Sequence, residues 1–270
     1  MTPAEERAAL AADSGPQSTP GPGWQWRKSW FWTIPVTLWG LASLPLTAVV
    51  ILLAAPFLGQ RRAFFTIAPM WAQFIFWLVK VDHRIFGWEA LPEAIRGGRQ
   101  PVIFMANHES NLDPPVLVGV LPIPAVYLAK KEVKWMVPIG WAAMMAGTIF
   151  IDRGNRDKAI RSLHRAALEI RGGKNVLLFP EGTRTRDGDL LPFKKGGFAL
   201  AQEAGVPIVP LAAIGGYDML PPGTVWIRPG RYFVIFGQPL LPADYPTREA
   251  LMVAVRERIV QLRDQAMAIR

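Results

Sequence analysis

The sequence predicts an α/β fold, a mixed and largely parallel sheet flanked by helices, with an N-terminal membrane-associated helical hairpin. Three observations predict it. Apolar runs of strand length at 101–106, 125–129, 148–151, 175–179 and 206–214, with a later one at 232–237, alternate with helical stretches. That order builds parallel strands joined by crossover helices. Several of these runs are followed at once by polar, chemistry-bearing residues, as happens at the carboxyl ends of strands in open α/β sheets. Residues 29–60 carry no charge, and a second uncharged run covers 63–79.

The 270 residues give room for one sizeable domain or one domain with an appendage. Hydrophobic residues make up 51% and charged residues 19%, with eleven Trp, a balance that suggests membrane contact. A formal charge of +9 suits nucleic acid, an anionic membrane or phosphorylated substrates. The apolar richness favours the latter two, so nucleic acid is not expected as a partner. There is no Cys, which excludes a thiolate nucleophile, a disulfide framework and cysteine-ligated zinc, and leaves the redox compartment open.

Residues 1–23 read as a disordered tail: Ala, Glu and Arg with Ser, Pro and Gly, ending in Pro20-Gly21-Pro22-Gly23 and offering little to bury. The tail lacks the layout of a signal peptide. Residues 24–82 form the membrane-associated element. A helix needs about 20 apolar residues to cross a bilayer core. The first run is long enough, although Pro35, Pro45 and Pro56 are spaced to kink or break it, and the second is slightly short. Arg61-Arg62 between them would sit at the outer turn of a spanning hairpin, against the bias of basic residues toward cytoplasmic loops. A hairpin dipping into one leaflet avoids that conflict, with Trp24, Trp26, Trp30, Trp32, Trp71 and Trp77 at the headgroup level.

Residues 83–270 form the α/β domain, and residues 81–100 read as a connector in which His83 is merely polar and without a partner. Pro101 to Ala106 reads as a buried strand. Residues 114–121 follow as a short helix, 125–129 as a strand, 136–146 as a helix and 148–151 as a strand. Residues 155–171 have Ile160, Leu163, Ala167 and Ile170 at helical spacing, which leaves His164 on the surface. Gly172-Gly173 caps that helix before the strand at 175–179. A helix reaches Ala204 and Gly205 stops it, ahead of the strand at 206–214. Thr247 caps a final amphipathic helix with Leu251, Val255, Ile259 and Leu262 on one side.

Chemistry concentrates where strands stop. Asn107-His108 begins the loop after the first strand, with Asp113 five positions beyond His108. A neutral imidazole accepts a proton near pH 7, and a carboxylate on its far nitrogen fixes the tautomer. His108 is therefore a candidate general base oriented by Asp113. No metal is expected, because no second His or Cys lies near. Ser110 is poorly placed as a nucleophile for His108, and the chain has no Gly-x-Ser-x-Gly elbow. Arg153 and Arg184 offer planar forks suited to a phosphate monoester, and Lys194 and Lys195 add positive charge.

Asn107-His108 to Asp113, Gly147-Thr148-Ile149-Phe150-Ile151-Asp152-Arg153, Phe179-Pro180-Glu181-Gly182-Thr183-Arg184 and Val206-Pro207-Ile208-Val209-Pro210 occur in that order. Together they resemble the four motifs of the glycerolipid acyltransferase family, over about Pro101 to Leu240. The resemblance implies a 1-acyl-sn-glycerol-3-phosphate acyltransferase. Its substrates would be lysophosphatidic acid and an acyl-CoA or acyl-carrier-protein thioester, its product phosphatidic acid, and no cofactor would be needed. It implies acceptor binding through Glu181, Gly182, Thr183 and Arg184, with Arg153 assigned to the same substrate. The fourth block is tied to acyl-chain binding and reads equally as a core strand. Bacterial members rest on the membrane through a two-helix element, which implies the cytoplasmic face of a bacterial inner membrane. The alternatives are another acceptor, such as glycerol 3-phosphate, a lysophospholipid or a lyso-aminolipid, and a non-catalytic lipid-binding protein.

Overall fold

The computed structural model describes residues 30–136, 139–152, 154 and 156–269. The expected tail at 1–23, the headgroup-level residues Trp24 and Trp26, and Arg153 lie outside the described residues.

The two uncharged runs form two helices, α1 (Trp30–Leu58) and α2 (Gln60–Val79), joined at Gly59. Pro35, Pro45 and Pro56 all lie inside α1, which nevertheless runs without a break. Around Pro45 the hydroxyls of Ser43 and Thr47 donate to the carbonyls of Gly40 and Ser43, 2.9 and 3.0 Å away. Such side-chain bonds help a proline-bearing apolar helix to hold together. Residues 34–58 have a mean hydropathy of 2.3 and Gln60–Val79 a value of 1.3, so both helices are long and apolar enough to cross a membrane. α2 packs inward through Ala72, Ile75, Phe76 and Val79, while α1 leaves Leu53 and Phe57 exposed.

Seven strands form one sheet: β1 (Val81–Phe86), β2 (Ile103–Ala106), β3 (Ala125–Lys130), β4 (Ile149–Ile151), β5 (Asn175–Leu178), β6 (Ile208–Ile214) and β7 (Gly230–Phe236), in the order β1-β7-β6-β2-β5-β3-β4. Every neighbouring pair is parallel except β6 with β7. The mixed, largely parallel sheet expected from the sequence is therefore present. β1 takes the place of the expected connector. It alternates exposed Asp82 and Arg84 with buried Val81 and Phe86, as befits an edge strand with one neighbour, and its polar half conceals it in the sequence. The boundary drawn at 82/83 falls inside it. His83 on β1 is not without a partner: its Nε2 lies 3.4 Å from the Gln73 amide of α2, and burial lowers its pKa.

The central strands are buried on both faces, and their residues alternate between two layers. Phe104 and Ala106 of β2 join a cluster with α2 and α4 (Asp113–Val120), which includes Val116 and Leu117. Ile103 and Met105 face the other way, toward a cluster that takes in α6 (Arg156–Arg171), α7 (Lys195–Ala204) and α9 (Arg248–Ile269). The short helices α3 (Glu93–Arg96), α5 (Ile139–Met145) and α8 (Gly216–Met219) complete the order. Gly119 marks where α2 meets α4, because a Cβ there would lie 2.9 Å from Ala72 Cβ and from the Phe76 ring. α6 differs from expectation in one residue. Ile160 is 55% exposed, and the buried face consists of Ala166, Ala167 and Ile170 with Leu163 packed against it. The residues expected on the inner side of α9, Leu251, Val255, Ile259 and Leu262, are all buried, and the Thr247 hydroxyl accepts the Ala250 N–H at 3.1 Å.

Truncating the fully buried Ile259 to Ala removes core contacts and leaves a cavity, with an expected loss of about 2–5 kcal/mol. Truncating its partly exposed neighbour Val260 should cost less than about 0.5 kcal/mol. Chemical denaturation in detergent, followed by near-ultraviolet circular dichroism, compares the two.

Candidate active site

The loops after β2, β5 and β6 meet at the carboxyl ends of those strands. Asn107 prolongs the pairing of β2 with β6: its side chain donates to Ala213 O at 2.9 Å and accepts the Ala213 N–H at 2.7 Å. The chain then turns so that His108 Nδ1 lies 2.8 Å from Asp113 Oδ2. Asp113 is the first residue of α4 and is fully buried. The same Oδ2 accepts the backbone N–H groups of Glu109 and Ser110, both at 2.8 Å, and Oδ1 accepts the Tyr232 hydroxyl at 2.9 Å. An acceptor carboxylate so placed requires His108 Nδ1 to carry the hydrogen, which leaves Nε2 with a lone pair for a substrate proton. The imidazole stacks on Phe179 at 3.9 Å between ring centroids and 13° between planes, and its side chain is 15% exposed.

Glu181 braces the same loop. Its two carboxylate oxygens accept the backbone N–H groups of His108 and Leu191, each at 2.8 Å, and Thr185 N–H returns to His108 O at 3.0 Å. Burial raises the Glu181 pKa, opposed by those two backbone bonds. Each Glu181 oxygen thus accepts one backbone N–H, one of them from His108 itself. Arg184 follows at the turn, half-buried, and has no hydrogen-bond or ion-pair partner among the described residues. Thr183 is exposed, and the Lys194 side chain crosses Gly182, with Cδ and Nζ 2.9 and 3.0 Å from where a Gly182 Cβ would stand. Gly182, Thr183, Arg184 and Lys194 thus share one loop cluster beside His108. Lys195 does not join them, because its ammonium pairs with Glu249 on α9 at 2.7 Å. Asp152, beside the undescribed Arg153, pairs with Lys131 at 2.8 Å and accepts the Gly154 N–H.

Ser110 is engaged away from the imidazole: it donates its hydroxyl to Leu220 O at 2.9 Å and accepts the Leu112 N–H. His164 is a surface residue, as expected, paired with Glu203 at 2.6 Å and with 62% of its side chain exposed. Several backbone N–H groups beside the dyad and in the Glu181 turn are already committed. Those of His108, Glu109 and Ser110 go to carboxylates, and that of Gly182 closes its own turn to Phe179 O at 3.0 Å. Among the described residues no group of three or more His, Asp and Glu is arranged to hold a metal ion.

Several residues that complete the site are not singled out by the sequence. Tyr232 lies 119 positions from Asp113, with no local signal to connect them. Gly216 is needed beside them, since a Cβ there would stand 2.4 Å from Asp113 Oδ1 and 3.0 Å from Ser110 Cβ. From α9, Arg263 donates to Gly188 O and lies 3.7 Å from Glu109 Oε1, while Arg256 donates to Leu190 O and Leu191 O at 3.2 and 3.0 Å. Two arginines one heptad apart therefore hold the loop that carries Glu181 and Arg184. Glu109, 4% exposed, has its pKa pushed up to about 7, first by burial and then by the Asp113 charge, against the pull of Arg263 and the backbone N–H groups of Gly215 and Tyr217.

Residues 84–214 match the family model described as Acyltransferase. The chain is 36% identical over 148 residues to a 1-acyl-sn-glycerol-3-phosphate acyltransferase of Saccharomyces cerevisiae, covering 54% of this chain and 47% of the relative. It is 38% identical over 160 residues to one of Limnanthes douglasii, covering 57% of each. It thus spans about half the length of the curated relatives it matches. Its fold matches the crystal structure of the 1-acyl-sn-glycerophosphate acyltransferase PlsC from Thermotoga maritima with a TM-score of 0.71 and 22% identity, over 85% of this chain and 94% of that one.

The raised pKa of Glu109 sets a direction for stability. The unfolded chain releases this proton near the ordinary carboxyl value and the folded chain only at about 7, so stability is fully present below about 4.5 and falls as pH rises through 7. The loss is about 3 kcal/mol by pH 8. Glu109→Gln should remove this slope, as read from urea midpoints between pH 4.5 and 8; an unchanged slope would place the titration elsewhere.

Proposed function

We propose that this chain, whose residues 84–214 match the family model described as Acyltransferase, transfers a fatty acyl group from a thioester to the 2-hydroxyl of 1-acyl-sn-glycerol 3-phosphate, giving phosphatidic acid. The observation that carries the chemistry is the 2.8 Å contact between His108 Nδ1 and a buried Asp113 that also holds three further donors. The acceptor comes from the activity for which the relatives are named, supported by a half-buried Arg184 that no acidic side chain among the described residues neutralises.

In this reading His108 Nε2 takes the proton of the 2-hydroxyl as the oxygen attacks the thioester carbonyl. Asp113 stabilises the imidazolium that forms. The tetrahedral intermediate collapses with rupture of the C–S bond, and His108 returns the proton to the departing thiolate. The products are an ester and a free thiol, with no acyl-enzyme. Acyl-CoA and acyl-carrier protein both present the thioester this step needs. Arg184 and Lys194 hold the acceptor phosphate, the guanidinium through paired N–H donors and the ammonium as a point charge. Phe179 fixes the plane of the imidazole and shields one face from water. Residues 24–82 form the membrane element and 83–270 the catalytic domain, with β1 the strand that joins them. The apolar helices α1 and α2 keep the enzyme on the bilayer where its lipid acceptor resides, on the cytoplasmic face of a bacterial inner membrane.

His108→Ala should reduce kcat by about 10²- to 10⁴-fold with the fold retained. The check is purified protein in detergent with labelled acyl-CoA and a panel of lyso-acceptors, products separated by mass; undiminished turnover would reject the mechanism. In the same assay Arg184→Ala should chiefly raise KM for the phosphorylated acceptor. An equal loss with an acceptor lacking the phosphate would remove Arg184 from that role.

A further inference from the structure

We propose that the described part of residues 130–144 is a second membrane-contacting element, resting at the headgroup level of an anionic phospholipid bilayer beside the α1–α2 hairpin. This rests on the reading of the hairpin as membrane-bound. Within ten residues Trp135 is 84%, Met136 54%, Trp141 49% and Met144 42% exposed. Single exposed apolar side chains are ordinary on a protein surface, but a cluster with two Trp marks a contact surface. Tryptophan prefers the boundary between hydrocarbon and water, where its ring is buried and its N–H stays hydrated.

Charge identifies the partner. Lys130, Lys131 and Lys134 are exposed beside these rings, against one acid, Glu132. The Lys131 pairing with Asp152 leaves 48% of its side chain in solvent, and Lys134 lies 4.7 Å over the Phe150 ring. Lysines flanking aromatic side chains suit a negatively charged lipid surface.

The element is continuous with the hairpin. Gln60, at the start of α2, donates its side-chain amide to Met144 O and Met145 O at 3.3 and 3.4 Å. Met145 and Ala146 are buried in one cluster with Ile51, Ala63 and Phe64 of the two apolar helices. A bilayer that receives the hairpin at this end meets α5 beside it. The element also leaves the carboxyl end of β3, next in the sheet to β5, and Tyr127 of β3 lies against Phe179, which stacks on His108. Contact here would set the catalytic edge of the sheet at the level of lipid headgroups, so that the acceptor need not leave the membrane.

The chain has no Cys, so Trp135→Cys, Trp141→Cys, Phe57→Cys and Val253→Cys each carry a single nitrobenzoxadiazole label. All four replace exposed side chains. The full chain is reconstituted in vesicles of phosphatidylglycerol and phosphatidylethanolamine. Labels at 57, 135 and 141 should be quenched several-fold by doxyl-bearing lipid and protected from aqueous iodide, with the label at 253 behaving oppositely. Iodide access at 135 and 141 equal to that at 253, with 57 lipid-quenched, overturns this proposal alone. Iodide access at 57 as well overturns the membrane-bound hairpin. Replacing phosphatidylglycerol by phosphatidylcholine should weaken lipid quenching at 135 while leaving 57 unchanged; no change at 135 overturns the assignment to an anionic surface.

Discussion

The site depends on one buried carboxylate. Asp113 has no solvent exposure, and a charge taken out of water is costly unless its lone pairs are filled. Here they are filled by an imidazole, two backbone N–H groups and a phenol. Bonds to a charged acceptor contribute about 1.5–3 kcal/mol each, enough together to offset a burial penalty of several kcal/mol. The backbone donors come from the loop that carries His108, so satisfying Asp113 also dictates the path of that loop. The lack of a side chain at Gly216 follows from the same demand, because the space beside Oδ1 is already taken.

A second layer of ionic contacts ties this loop to the one after β5. Glu181 grips His108 N–H with one oxygen and Leu191 N–H with the other. Arg256 and Arg263 reach from α9 to the carbonyls of Gly188, Leu190 and Leu191. Arg263 also faces Glu109, the residue that follows His108. The turn that carries Arg184 is thereby held from both sides, while Arg184 itself has no partner among the described residues.

Much of this is legible in the sequence because it is written locally. The strands β2 and β6 are continuous apolar runs and β5 is apolar after Asn175, as suits buried parallel strands, and His108 and Asp113 meet within one short loop. The final helix is readable from its spacing, as is the Gly205 stop, where the backbone turns left-handed at φ 65°. The features that stay hidden depend on distant partners. β1 is an edge strand whose polar half faces out, so its alternation resembles a linker. Lys195 and Lys194 are indistinguishable as neighbours in a basic run, and only the position of Glu249 separates them. Glu181 fits the expected motif, yet its carboxylate is spent on backbone, a role that depends on where Leu191 returns. Tyr232 and Arg263 have no signature, since any buried Tyr or helical Arg would read the same.

The long reach of Tyr232 also bears on the order in which the site is assembled. His108 and Asp113 emerge from the ribosome together, but the phenol that completes the carboxylate is on β7 and the guanidinium beside Glu109 is near the end of α9. A nascent chain halted before residue 230 has the dyad and its two local backbone donors, but no Tyr232 hydroxyl for Asp113 Oδ1. The complete set of contacts around Asp113 and Glu109 therefore arrives with β7 and α9, long after the apolar hairpin of α1 and α2 has been made.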